Sequence, residues 1–174
     1  MKILLAAVPV ALSAALLTAP AAQADSVTCS GTIRAVSIDG DVIVPKGATC
    51  SLIGTRVDGN VQVKENARLY ARGVVVGGNV QADNHRVVEV TSRVVNGVER
   101  RSRVGGSIQA KQGGGGKLVR TITGSDIQLF SNDGAFTVSR NRVDGNLQCK
   151  SNTPAPTGSG NVVEGNKEDQ CAKL

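Results

Sequence analysis

The chain has 174 residues and a formal net charge of +6, from 20 Lys and Arg against 14 Asp and Glu. It contains one tyrosine, two phenylalanines and no tryptophan, which leaves too few aromatic residues for a platform on which nucleic acid bases stack, and we expect no nucleic acid partner. The 21 glycines and the many valines favour short β-strands and tight bends over a thick globular core.

The N-terminal residues have the pattern of a secretory signal. A positive charge at Lys2 precedes an apolar run over residues 3–17 and a small-residue tail that ends at Ala24. A membrane anchor is the alternative, but Pro9 interrupts the run, which falls short of the ~20 residues that a membrane span requires. We therefore predict that residues 1–24 are a removed signal and that the protein is secreted and extracellular, with no membrane association after cleavage.

A six-residue phrase recurs along the rest of the chain. Most copies contain a glycine turn, a polar residue, an aliphatic residue, a glutamine and a second apolar residue. The central aliphatic residues are Val42, Val61, Val80, Ile108, Ile127 and Leu147, and their successive spacings are 19, 19, 28, 19 and 20 residues. A period near 19 is too short for paired helices and suits a coil of three short strands. We predict an all-β parallel solenoid (β-helix) of about six to seven coils with ~19 residues each, formed by residues 25–174 as a single domain.

Alternation within each phrase separates an inner and an outer face. Coils that stack about 4.8 Å apart bring the central aliphatic residues into one column of the core. The glutamines point outward, where their amides can bond one another along the stack as in cross-β ladders. This outer column is a candidate binding surface, and its members are Gln62, Gln81, Gln109, Gln128 and Gln148.

The one long step in the repeat indicates an insertion around residues 90–103. Asn96-Gly97 between valines is a strong signal for a two-residue β-hairpin turn. Because insertions in solenoids often map to the working face, we predict a protruding hairpin or loop that contributes to binding. Its candidate binding residues are Arg100, Arg101 and Arg103.

The even number of cysteines predicts two disulfides in an oxidising compartment. Zinc binding is the alternative, but the chain has no C-x-x-C pair and a single histidine, so we expect no metal and no cofactor. Cys29 and Cys50 are one coil apart, as are Cys149 and Cys171, and stacked residues lie within reach of a disulfide. We predict these two pairs, which would cap the first and last coils.

Two other motifs favour structural roles. The glycine run at residues 113–116 lacks the first glycine and the final Ser or Thr of a phosphate-binding loop, so we expect a flexible turn there. His85 lies in a short polar segment, and we expect it to be an exposed turn residue rather than a catalytic base.

Charged residues recur beside the turns. A partial basic stripe precedes the turns by two residues and is a further candidate for binding; it contains Arg56, Arg103 and Arg142. Aspartates occupy the turn position before glycine in three copies, and these are Asp39, Asp58 and Asp144. Turn chemistry explains the aspartates, although carboxylates on one solenoid face could also act on acidic polysaccharides.

The Gly-Asn-Val-Gln coils over residues 38–149 resemble those of bactofilin-type solenoids, and this resemblance implies a right-handed β-helix that polymerises end to end. The signal pattern and the terminal cysteines depart from that family. Taken as a whole, including residues 160–171, the chain is more similar to small secreted actinobacterial proteins of unassigned function, which imply no substrate or active site.

These observations lead to three functional hypotheses. The first is a secreted, non-enzymatic structural or binding protein that presents a solenoid face to an anionic cell-wall polymer, a polysaccharide or a protein. The second is a small polysaccharide lyase or hydrolase of the β-helix type, which would require carboxylates and basic groups to converge in a groove. The third is a self-assembling surface component. The sequence does not specify the oligomeric state.

Overall fold

The computed structural model of the protein describes residues 26–174, so the predicted signal at residues 1–24 lies outside the described residues. Within this range the chain contains β-strands and no helix, and no segment meets the length and hydropathy needed for a membrane-spanning helix. Successive coils are about 19 residues apart and stack in parallel. Most coils contribute three strands, one to each of three sheets. The predicted all-β parallel solenoid is confirmed.

The first sheet contains the repeated phrase. Its eight strands are β1 (Val27–Thr28), β4 (Val42–Val44), β7 (Val61–Val63), β10 (Val80–Asp83), β15 (Ile108–Lys111), β18 (Ile127–Phe130), β21 (Leu147–Lys150) and β23 (Lys167–Asp169). The stack therefore has about eight turns rather than six or seven, because β1 precedes the first complete copy of the phrase and still pairs with β4.

The second and third sheets form the other two sides of the coil. The second contains β2 (Thr32–Arg34), β5 (Thr49–Ile53), β8 (Arg68–Arg72), β11 (Val87–Thr91), β16 (Gly115–Val119) and β19 (Phe136–Ser139). The third contains β3 (Ser37–Ile38), β6 (Arg56–Val57), β9 (Val75–Val76), β14 (Ser102–Val104), β17 (Thr121–Thr123), β20 (Arg142–Val143) and β22 (Val162–Val163). Between β11 and β14, the strands β12 (Arg93–Val95) and β13 (Val98–Arg100) form an antiparallel hairpin.

The core is a set of aliphatic columns that run along the axis. Val61 pairs in register with Val80, which pairs with Ile108, and all three side chains are buried. Every coil contributes such residues, so each coil shields the apolar surface of its neighbours and the stack is stable only as a whole.

Buried asparagine side chains form hydrogen bonds at the corners of the later coils. The Asn141 Oδ1 atom accepts a hydrogen bond from the Thr121 amide at 2.9 Å, and its Nδ2 atom donates to the Leu118 carbonyl at 2.7 Å and to Asn161 at 3.0 Å. Asn132 and Asn152 form a second ladder of this kind at another corner. These side chains pair backbone groups that the bends would otherwise leave unsatisfied in the core.

Disulfides lie near both ends of the stack, as predicted. Cys29 is bonded to Cys50 with a Cα–Cα distance of 5.5 Å, and Cys149 is bonded to Cys171 with a Cα–Cα distance of 5.2 Å. These cross-links join neighbouring coils at the two ends of the stack that residues 26–174 form. Disulfides of this kind are consistent with an extracellular location.

Two local predictions were wrong. His85 is buried, with 2% of its surface exposed, because it follows a left-handed corner residue and points inward like Asn132 and Asn152 of later coils. The glycine run is not a flexible turn: Gly115 and Gly116 belong to β16, and a Cβ atom on Gly116 would lie 1.9 Å from the Val88 carbonyl oxygen. These glycines are needed for close packing between coils.

Candidate functional site: an arginine cleft beside the hairpin

The coils are numbered by their strands in the first sheet, so the fourth coil begins with β10. In this coil the hairpin replaces the corner between the second and third sheets. Asn96 and Gly97 form its turn with φ values of 51° and 76°, as a two-residue hairpin turn requires. At its base the buried Ser102 hydroxyl donates to the Thr91 carbonyl at 2.6 Å and accepts from the Val74 amide at 3.1 Å. The hairpin is therefore fixed to its own coil and to the preceding one.

Glycines at the equivalent corners of the two preceding coils leave space for the hairpin. Gly54 and Gly73 have φ values of 63° and 61°. A Cβ atom on Gly54 would lie 2.8 Å from the Arg93 Nη1 atom, and one on Gly73 would lie 2.9 Å from the Arg93 Cβ atom. These two corners form the floor on which the hairpin lies.

A cleft of about 540 Å³ is lined by residues of the hairpin and of the adjoining coils. Val75 and Val95 supply apolar surface, and Gly54 and Gly73 supply corner backbone. We call this the arginine cleft because four guanidinium side chains line it, those of Arg93, Arg100, Arg101 and Arg103. Arg93 and Arg100 pair across the two strands of the hairpin, and the chain then enters β14, which contains Arg103. This path brings the four arginines together.

Glu99 is the acidic residue among those that line the arginine cleft. Its Oε1 atom accepts hydrogen bonds from the Ser92 hydroxyl at 2.8 Å and from the Arg120 Nη1 atom at 2.9 Å. The Ser92 hydrogen bond, supported by Arg120, lowers the pKa of Glu99 below its ordinary value. Glu99 therefore stays ionised; its direct ion pair is with Arg120, which does not line the cleft, and the charge of Arg101 in the cleft makes a smaller contribution to the lowered pKa.

The four cleft arginines form no direct ion pair. Among residues 26–174 the ion pairs within 4.0 Å involve other basic residues, and none of them includes an arginine that lines the cleft. The site therefore places four arginines and one carboxylate in a concave, partly apolar surface, and a cleft with such an excess of positive charge attracts anions.

The rest of the predicted basic stripe differs from the cleft. Arg56 pairs with Asp58 at 2.7 Å, and Arg142 pairs with Asp144 at 3.2 Å and also with Glu164. The strand register places Val75 between Arg56 and Arg103 and places Ile122 between Arg103 and Arg142. Of the three stripe residues, only Arg103 lies in the arginine cleft.

The outer glutamines lie on the first sheet, whereas the arginine cleft adjoins the third. Gln109 donates to Gln128 at 3.0 Å, Gln128 donates to Gln148 at 2.9 Å, and Gln148 donates to Glu168 at 2.9 Å. Gln62 instead donates to Asp41 at 3.1 Å, and Gln81 is exposed between these two groups. Most of these amides are thus engaged with one another or with a carboxylate along the stack.

The turn aspartates do not enter the arginine cleft. Asp39 and Asp58 lie on adjacent coils, while Asp144 lies near the other end of the stack with glycines at the intervening positions. All three are exposed. Among the described residues 26–174, no group of three His, Cys, Asp or Glu side chains is placed to hold a metal ion.

Sequence reasoning identified Arg100, Arg101 and Arg103 but missed Arg93. Its role depends on the hairpin register, which pairs it with Arg100 across the two strands. The recurrence of Gly54 and Gly73 at a spacing of 19 residues was the available signal for the floor of the site.

No protein-family model matches this chain, and neither a curated protein nor a solved structure is significantly similar to it. The resemblance to bactofilin-type solenoids therefore depends on the repeat pattern alone.

Proposed function

We propose that the protein is a secreted, non-enzymatic binding protein whose arginine cleft holds an anionic group of a cell-wall polymer or polysaccharide. The observation that carries the proposal is the convergence of four arginines on one cleft whose acidic residue is already paired with Arg120. The two disulfides and the signal pattern at residues 1–24 support an extracellular site of action.

Arginine is suited to this role because its planar guanidinium donates two parallel hydrogen bonds to a carboxylate, phosphate or sulfate group. Arg101 and Arg103 are exposed, so an approaching polymer can reach them. The hydrogen bonds of Ser102 and Glu99 hold the hairpin in place before a ligand binds. Binding therefore costs less conformational entropy.

The test compares two double variants that remove the same number of positive charges. Arg100→Gln with Arg101→Gln alters the cleft, and Arg56→Gln with Arg142→Gln alters arginines that are already paired with carboxylates. Calorimetric titration with polygalacturonate and with poly(glycerol phosphate) at low salt measures the affinity of each.

We expect the cleft variant to lose about tenfold or more in affinity, since a hydrogen bond to a charged group contributes roughly 1.5–3 kcal/mol. The control variant should bind within about twofold of the parent, because exposed ion pairs contribute little. Binding of the parent should weaken as salt is added. Equal losses in the two variants, or no binding by the parent at low salt, would contradict the proposal.

A further inference from the structure

We infer that the arginine cleft takes one compact anionic unit with two or more negative charges, and that the remainder of a polymer makes no attractive charged contacts along the third sheet. This inference rests on the proposed function and narrows it to a ligand class: short anionic segments or chain ends rather than an extended polyanion aligned with the axis.

Arginines of the third sheet on either side of the arginine cleft are paired with carboxylates. On one side of the cleft Arg56 is neutralised by Asp58, and Asp39 adds a further acidic side chain on the adjacent coil. On the other side Arg142 is shared between Asp144 and Glu164. A polyanion that continued along the third sheet in either direction would leave the cleft and meet carboxylates. The exposed Arg34, Arg72 and Arg140 lie outside this sheet, so they do not offset those carboxylates along it.

The arginine cleft is short along the solenoid axis. Its lining residues extend from Gly54 in the second coil to Arg103 in the fourth coil. Neighbouring strands are about 4.8 Å apart, so this distance along the axis is roughly 10 Å. Four guanidinium groups within that length can contact one doubly charged group or two adjacent singly charged groups.

The hairpin is held at its base and along its second strand. Ser102 fixes its base, and the Glu99 contact with Arg120 fixes its second strand to the following coil. The backbone of Gly73 lies directly against the hairpin. The cleft is therefore a preformed pocket of limited length rather than one part of a groove that a longer chain could open.

The experiment measures affinity against chain length. Oligogalacturonates from the monomer to the decamer, and a parallel series of linear phosphates from orthophosphate upward, are titrated into the protein at low salt. The two series distinguish carboxylate from phosphate recognition. We expect affinity per binding site to rise about tenfold or more up to the trimer and to change by less than about threefold beyond it.

A second variant tests the same inference by gain of binding. Asp58→Asn releases Arg56 from its ion pair beside the cleft. We expect this variant to bind the decamer about threefold or more tightly than the parent does, with unchanged affinity for the dimer. The variant changes an exposed turn residue, so its fold is checked simply by circular dichroism.

The outcomes separate the two proposals. A plateau at short chains in at least one series supports the inference. A continued rise in affinity per site up to the decamer contradicts it while leaving the proposed function supported. No binding in either series, at any length, contradicts the proposed function itself.

Discussion

Gly73, a corner residue of the third coil, lies directly against Arg93 of the hairpin. A Cβ atom on Gly73 would be 2.9 Å from the Arg93 Cβ atom and 3.3 Å from the Arg100 carbonyl oxygen. Both distances are shorter than ordinary van der Waals contact, and the second involves backbone that cannot rotate away. The absence of a side chain at this corner therefore determines how closely the hairpin approaches the solenoid and so shapes the arginine cleft.

Replacing Gly73 by alanine should destabilise the protein and displace the hairpin. The matched control is Gly97→Ala, because Gly97 also has a positive φ, 76°, but a Cβ atom there would meet nothing within 4 Å. Both variants incur a left-handed backbone cost of roughly 1–2 kcal/mol. Gly73→Ala should lose about 1–3 kcal/mol more from overpacking, as measured by denaturant unfolding. Equal losses would show that the Gly73 contact does not constrain the hairpin.

The buried His85 should make stability depend on pH. Among the described residues, no group meets standard hydrogen-bond geometry at either ring nitrogen. Burial lowers the pKa of the imidazole below its ordinary value, although the nearby backbone of Ala82 and Gly114 and, more weakly, the carboxylates of Asp83 and Asp133 oppose the shift. The unfolded chain then takes up a proton more readily than the folded chain. The contribution of His85 to stability is present above about pH 6.5 and declines as the pH falls through the lowered pKa of the folded state.

His85→Asn is the comparison variant for this prediction, since Asn132 and Asn152 occupy the equivalent corner position in later coils. Urea unfolding at pH 7.5 and pH 5 should show a larger loss of stability for the parent than for the variant. A loss of the same size in both proteins would assign the pH dependence to other groups.

The asparagine ladders should be a major source of stability. Asn141→Ala removes the acceptor for the Thr121 amide and a donor to the Leu118 carbonyl, both in the interior. Leaving these groups unpaired should cost about 2–4 kcal/mol. Asn166→Ala is the control, because Asn166 is exposed and its recorded bond to Asn146 uses the backbone amide, which alanine retains. A loss below 1 kcal/mol for Asn141→Ala, as judged by thermal or urea unfolding, would contradict the role of the ladder.

Much of the fold could be predicted from sequence because one residue in each coil must occupy the same place in the core. The spacing of Val61, Val80 and Ile108 reports this directly, and strand alternation then assigns Gln62 to the outer face. The disulfide pairs follow from the same stacking. In a regular repeat, residues that contact each other in neighbouring coils are a constant number of positions apart. These long-range contacts can therefore be predicted from the sequence spacing.

The corners could not be predicted in the same way. His85 lies between polar residues and looks exposed, yet one left-handed residue at Asn84 turns the following side chain inward. Arg93 joins the cleft only through the hairpin register, and Gly116 is needed for contact with Val88 of a neighbouring coil. The burial of His85, the position of Arg93 and the packing of Gly116 depend on the backbone conformation of single residues. That conformation does not recur with the period of the repeat.

The proposed function requires that an anionic ligand binds in the arginine cleft. The most direct measurement is an amide NMR titration of the isotopically labelled protein with trigalacturonate at low salt. We predict that chemical-shift changes concentrate at Gly54, Gly73 and residues 93–103. Changes centred on the outer glutamines of the first sheet, or spread evenly over the solenoid, would contradict the claim.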